Sequence, residues 1–107
     1  MLLVDISDDA EADIDKAVAY IAFEVMNENA AVAFRNGIGD TIAKLSYLGE
    51  LLAFSQQPYI QKRFGAFART TTYKKMTIVY EVINTSTSCS TSGVAYVHRI
   101  IPSKLIY

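Results

Sequence analysis

The apolar residues of this 107-residue chain change their period part-way along it, and that change sets the fold class. Ile14, Val18, Ile21 and Val25 recur at helical spacing. Phe34, Ile38, Ile42, Leu45 and Leu52 make a second, longer stripe, with Leu48 beside it. Beyond Gly65 the pattern becomes that of strands. Phe67 to Tyr73 is β-branched and aromatic, and Met76, Ile78, Tyr80 and Val82 share one face, with Thr77 and Glu81 on the other. Val94 to Ile101 is apolar on both faces, as an interior strand is. An aliphatic run, Leu2 to Ile6, opens the chain as a strand before Ser7-Asp8-Asp9, a helix-start signal. The order βααβββ predicts a single α+β domain over residues 1–107, a helical hairpin packed on a mostly antiparallel sheet.

The punctuation agrees. Asn27-Glu28-Asn29 breaks the first stripe, with Asn29 able to cap the second helix. Gln56-Gln57-Pro58 is expected to end the helical region, because a residue before proline is driven out of the α basin. Lys74-Lys75 sits between two strand runs as a tight turn, and NTSTSCSTSG, from Asn84 to Gly93, reads as a long polar hairpin loop. Gly37 and Gly39 weaken the second helix and imply a close approach or a local bend. They are not a phosphate loop, since no strand precedes them and Ile42 stands where a third glycine would fall.

Composition narrows the function classes. Apolar residues at 51% and charged residues at 20% suit a globule, and no run approaches the length of a membrane span. The start, MLLVDISDD, lacks the basic region of a signal peptide, so a cytoplasmic location is expected, with no membrane partner. A single Cys89 and a single His98 cannot supply a disulfide framework or a Cys/His zinc site, and no cofactor or metal is expected. The net charge of −1 hides an asymmetry. Through Ile60 ten acids face three bases, whereas from Gln61 onward seven bases face Glu81 alone. The C-terminal half could therefore meet an anionic partner, or its lysines could serve only to protect strand edges.

Few residues suggest chemistry. His98 lies on the last strand, with Arg99 expected on the opposite face, and could act as a general base or be a packed strand histidine. Arg69 and Arg99 could snorkel, pair with Glu81 on the adjacent strand, or offer a bidentate fork to phosphate or carboxylate; pairing is the favoured reading. There is no Gly-x-Ser-x-Gly elbow, and Cys89 has no neighbouring base.

The segments DDAEADIDKAVAYI, FARTTTYKKMTIVYEV and AYVHRIIPSK, in this order and spacing, resemble the RelE/ParE superfamily of type II toxins. Tyr20-Ile21 matches the end of that family's first helix, Arg69, Tyr73, Tyr80 and Val82 its central strands, and Val97 to Pro102 its closing strand. The resemblance implies a toxin restrained by a cognate antitoxin in a hetero-oligomer, with growth inhibition and plasmid stabilisation as its setting. It implies one of two targets, DNA gyrase for a ParE-like member or ribosome-bound mRNA for a RelE-like nuclease. The basic residues of RelE-type cleavage fall here on Ala68, Thr70, Thr77 and near Ser103, with Lys104 adjacent, and Pro102 replaces a common histidine. Loss of those charges favours the ParE-like branch and a non-enzymatic protein, against a nuclease or a non-toxic protein-binding relative. A nuclease would have to rely on Arg69, His98, Arg99, Lys104 or Tyr107 instead. Lys74, Lys75, Tyr73 and Tyr107 are the expected partner contacts.

Overall fold

A computed structural model describes residues 2–84 and 93–106. The expected polar loop beyond Asn84, with Cys89, and the terminal Tyr107 lie outside those residues. Strand β1 (Leu3–Ile6) leads into helix α1 (Asp8–Ala19), a π-helical turn (Tyr20–Glu24) and helix α2 (Glu28–Ala43). Short helices α3 (Leu45–Leu48) and α4 (Pro58–Phe64) come next, then β2 (Arg69–Tyr73), β3 (Met76–Asn84), β4 (Gly93–Pro102) and a 3-10 turn (Ser103–Leu105). The sheet order is β1-β4-β3-β2; β1 runs parallel to β4, and the other two pairings are antiparallel. This is the expected α+β architecture, with β4 interior to the sheet.

Helix α1 starts where Ser7 caps it: its Oγ accepts the Ala10 N–H at 3.0 Å, and Asp8, Asp9 and Glu11 occupy the first turn. Ile14, Phe34, Ile38, Ile42 and Leu45 from the helices meet Ile78, Tyr80, Ala95, Val97 and Ile100 from the sheet in the main core. The opposite face carries a smaller cluster, in which Ile60 of α4 covers Ala68, Val79 and Ile101.

Four local expectations need correction. Asn27, not Asn29, caps α2, its Oδ1 accepting the Ala30 N–H at 2.9 Å. Val25 leaves the first apolar stripe and is exposed, because the π turn, closed by Val25 N–H to Tyr20 O, rotates the succeeding residues out of register. The second stripe does not make one long helix but breaks at Lys44 into α3 and a turn. Pro58 does not close the helical region; it opens α4. Gln57 is extended, as a residue before proline must be, and proline at a first helical position loses no hydrogen bond there.

The register of β3 on β4 shifts once. Val79 pairs with Arg99 and Tyr80 with Val97, leaving His98 as the extra residue of a bulge. Val97 and Ile100 therefore both reach the helix-side core although they are three positions apart, which strict alternation forbids. His98 and Arg99 both lie off that face, so they do not take opposite faces of the sheet as the sequence pattern suggested.

Candidate functional site

Three regions gather the residues that could do chemistry. At one end of the sheet, Lys74 and Lys75 form the two-residue turn between the paired Tyr73 and Met76. Met76 also faces Pro102 across β4, and Ser103 N–H donates to Lys75 O at 2.8 Å. The register thus brings the 3-10 turn, with Lys104, beside Lys75. All three lysines are exposed, and none belongs to the ion pairs formed among the described residues. Tyr73 is largely withdrawn from this cluster. Its half-buried ring meets Phe34 edge-on at 5.7 Å and lies over Gly37. Lys74 Nζ lies 5.6 Å from the centre of that ring.

At the opposite end of β2, Arg69 serves the fold. Its Nη1 donates to the carbonyls of Glu50 and Leu52, and its guanidinium lies 4.5 Å from the Phe54 ring centre. The cross-strand partner Tyr80 donates its buried hydroxyl to Gly49 O at 2.8 Å. Together the two side chains hold the turn after α3. Burial pushes the Tyr80 phenol up to about 12, against the opposing pull of the Arg69 charge. Arg69 also borders an open recess of about 250 Å³ with Glu50, Phe54, Phe67, Glu81 and Val82.

The bulge holds the third group. Neither arginine pairs with Glu81, contrary to the favoured expectation. Glu81 meets His98 instead, Oε2 to Nε2 at 3.2 Å, with Tyr96 edge-on to the imidazole at 4.9 Å. Arg99 turns to α1 and donates Nε and Nη2 to the two oxygens of Asp13 at 2.8 and 2.9 Å. Those hydrogen bonds hold its guanidinium above the usual arginine range. The Ser7 hydroxyl is engaged with the His98 carbonyl at 2.7 Å, not with its ring, so no serine-histidine relay forms there.

The positions that the RelE resemblance made critical do converge. Thr70, Thr77 and Ser103 line one open recess of about 270 Å³ with Gln57, Ile60, Thr72 and Ile106, while Ala68 is buried beneath α4. Thr77 Oγ1 and Ser103 Oγ are 2.8 Å apart. Among the described residues, the wall of this recess is hydroxyl, amide and aliphatic, with no charged side chain on it. Its hydroxyl and amide groups are neutral hydrogen-bonding groups, and none of them is a general base at neutral pH.

Sequence reading missed α4 and its side chains. Arg63 donates to Tyr59 Oη at 2.6 Å and lies over the Phe64 ring at 5.5 Å. The signal was present in Pro58 as a first helical residue, with Lys62-Arg63 in the last turn. The Asp13–Arg99 contact left no local signal at all.

No protein-family profile matches the chain, and no curated protein is significantly similar to it in sequence. A solved chain of the chromosomal ParDE toxin–antitoxin system from P. aeruginosa has a similar fold, with a TM-score of 0.63 at 17% identity. The likeness covers 95% of this chain and 96% of that one. No helix among the described residues is long and apolar enough to cross a membrane.

Proposed function

We propose that this chain is the toxin of a type II toxin–antitoxin pair, acting by binding a protein target such as DNA gyrase and neutralised by a cognate antitoxin. The fold shared with a chain of the ParDE system supports the toxin reading. The observation that carries the choice of branch is the uncharged recess of Thr70, Thr77 and Ser103. Cleavage of RNA needs charge or a base where the phosphodiester reacts, and the described wall of this recess has neither. Lys74, Lys75 and Lys104, outside every ion pair among the described residues, give the chain a means of engaging an acidic surface without chemistry. Such a pair works in the cytoplasm, where both its target and its antitoxin are made.

Supercoiling by purified gyrase, titrated with the purified chain, tests this reading. Inhibition at micromolar protein is expected, relieved by co-purified antitoxin and weakened by Lys74→Glu with Lys75→Glu and Lys104→Glu. Intact gyrase activity together with codon-positioned cuts in primer extension would replace it with the nuclease reading. Unimpaired growth on unaccompanied overexpression would leave a non-toxic binding module.

A further inference from the structure

We infer that the end of the α1–α2 hairpin is a docking surface for a second protein that presents apolar side chains flanked by lysine or arginine. The inference does not depend on the toxin reading. Ser7 touches Val97 and His98, and Asp13 touches Arg99 and Ile100, so α1 runs along β4 toward its C-terminal end. Gly37 of α2 is level with Tyr73, the last residue of β2. The hairpin beyond those contacts projects past the end of the sheet, in keeping with a molecule 51 Å long and 30 × 21 Å across.

The projecting segment is apolar. Tyr20, Phe23, Val25, Met26 and, on the facing helix, Val32 are 55–84% exposed. Two backbone features place them outward. The π turn rotates Val25 off the core stripe, and Met26 takes a φ of 57°, a conformation that L side chains rarely adopt. Strained backbone and π turns concentrate where a segment does something besides pack.

Charge selects the occupant. Between Lys16 and Arg35 the charged residues are Glu24 and Glu28, both carboxylates. Neither takes part in an ion pair among the described residues, and Arg35 is held by Asp15 at 2.8 Å. An apolar segment whose own charged residues are these two carboxylates attracts a basic, apolar partner and repels an anionic lipid surface. Two hairpin ends meeting face to face would set Glu24 and Glu28 against their own copies, so a second copy of the same surface is disfavoured.

The test is a titration of the ¹⁵N-labelled full chain with a synthetic amphipathic helical peptide of leucine and lysine, against a matched leucine–glutamate peptide. Shift changes are expected at Tyr20–Met26 and Val32 with the lysine peptide only. Phe23→Ser with Met26→Ser should weaken binding about tenfold, the size of effect that truncating a central apolar anchor has. Glu24→Gln with Glu28→Gln should weaken it less and flatten its salt dependence. These side chains are exposed, so unchanged thermal melting of each variant serves as the folding control. Shifts centred elsewhere, equal binding of the glutamate peptide, or unaffected variants would overturn the inference. So would anionic vesicles seating on the same residues, or a dimer in sedimentation that the same substitutions abolish.

Discussion

Asp13 stands where a strand would otherwise be. Its Oδ2 accepts both the Arg99 Nε–H at 2.8 Å and the backbone N–H of Ile100 at 3.0 Å, while Oδ1 accepts from Arg99 Nη2. Pairing of β1 with β4 ends at Ile6 and Val97, so among the described residues the edge of β4 beyond Val97 has no neighbouring strand. The start of the helical region takes over. Ser7 N–H donates to Val97 O, Ser7 Oγ to His98 O, and Asp13 receives the Ile100 N–H.

Asp13→Ala should therefore be among the most damaging single changes on this helix. It strands a backbone donor and leaves a partly buried guanidinium unpaired, at a cost of about 3 kcal/mol. Asp13→Asn keeps an acceptor for Ile100 and should cost about half as much. Urea unfolding of the three proteins measures both, and equal stability of Asp13→Ala and wild type would refute the edge-capping role.

The two glycines of α2 should respond oppositely to alanine. A Cβ at Gly39 meets nothing within 4 Å, so Gly39→Ala is expected to stabilise by up to about 1 kcal/mol through helix propensity. A Cβ at Gly37 would overlap Oη and Cζ of Tyr73, so the ring must leave its notch beside Phe34. Gly37→Ala should destabilise by about 1–2 kcal/mol despite the same propensity gain. Thermal melts of the pair decide it.

Tyr80 predicts a pH dependence. Its phenol is raised to about 12 in the fold, against about 10 in the unfolded chain. Between those values the unfolded chain has lost the proton and the folded chain retains it. Stability must fall as pH rises, by about 1.4 kcal/mol per pH unit from this group, and is unaffected by it below pH 10. Tyr80→Phe should lose about 1 kcal/mol at neutral pH with the Gly49 hydrogen bond, yet show a shallower decline above pH 10. Parallel declines for both proteins in urea unfolding would refute the assignment.

Lys74 takes a φ of 52° at the first position of the β2–β3 turn. Glycine is favoured at such a position in a two-residue hairpin, so Lys74→Gly should preserve or raise the unfolding free energy, by up to about 1 kcal/mol. Lys74→Val should lower it, because a β-branched side chain resists that backbone. If the lysine turn contacts a partner, Lys74→Gly weakens association while leaving the fold intact.

Period and punctuation by themselves determined the α+β class, the core stripe of Phe34, Ile38, Ile42 and Leu45, the Ser7 cap, the Lys74-Lys75 turn and the interior place of β4. These are legible because helical and strand periods, caps and two-residue turns depend on neighbours a few residues away. Only the tertiary structure decided that His98 is the extra residue of a bulge, that Glu81 belongs to His98, and that Arg99 belongs to Asp13, 86 positions earlier. It also decided that Arg69 faces carbonyls and that Thr70, Thr77 and Ser103 share one uncharged recess. A register shift of one residue changes which side chains share a face, and long-range pairing depends on how α1 lies along β4. Neither is encoded in any window of the sequence short enough to read by pattern, so the partners of the charged residues emerge only when the sheet and hairpin pack.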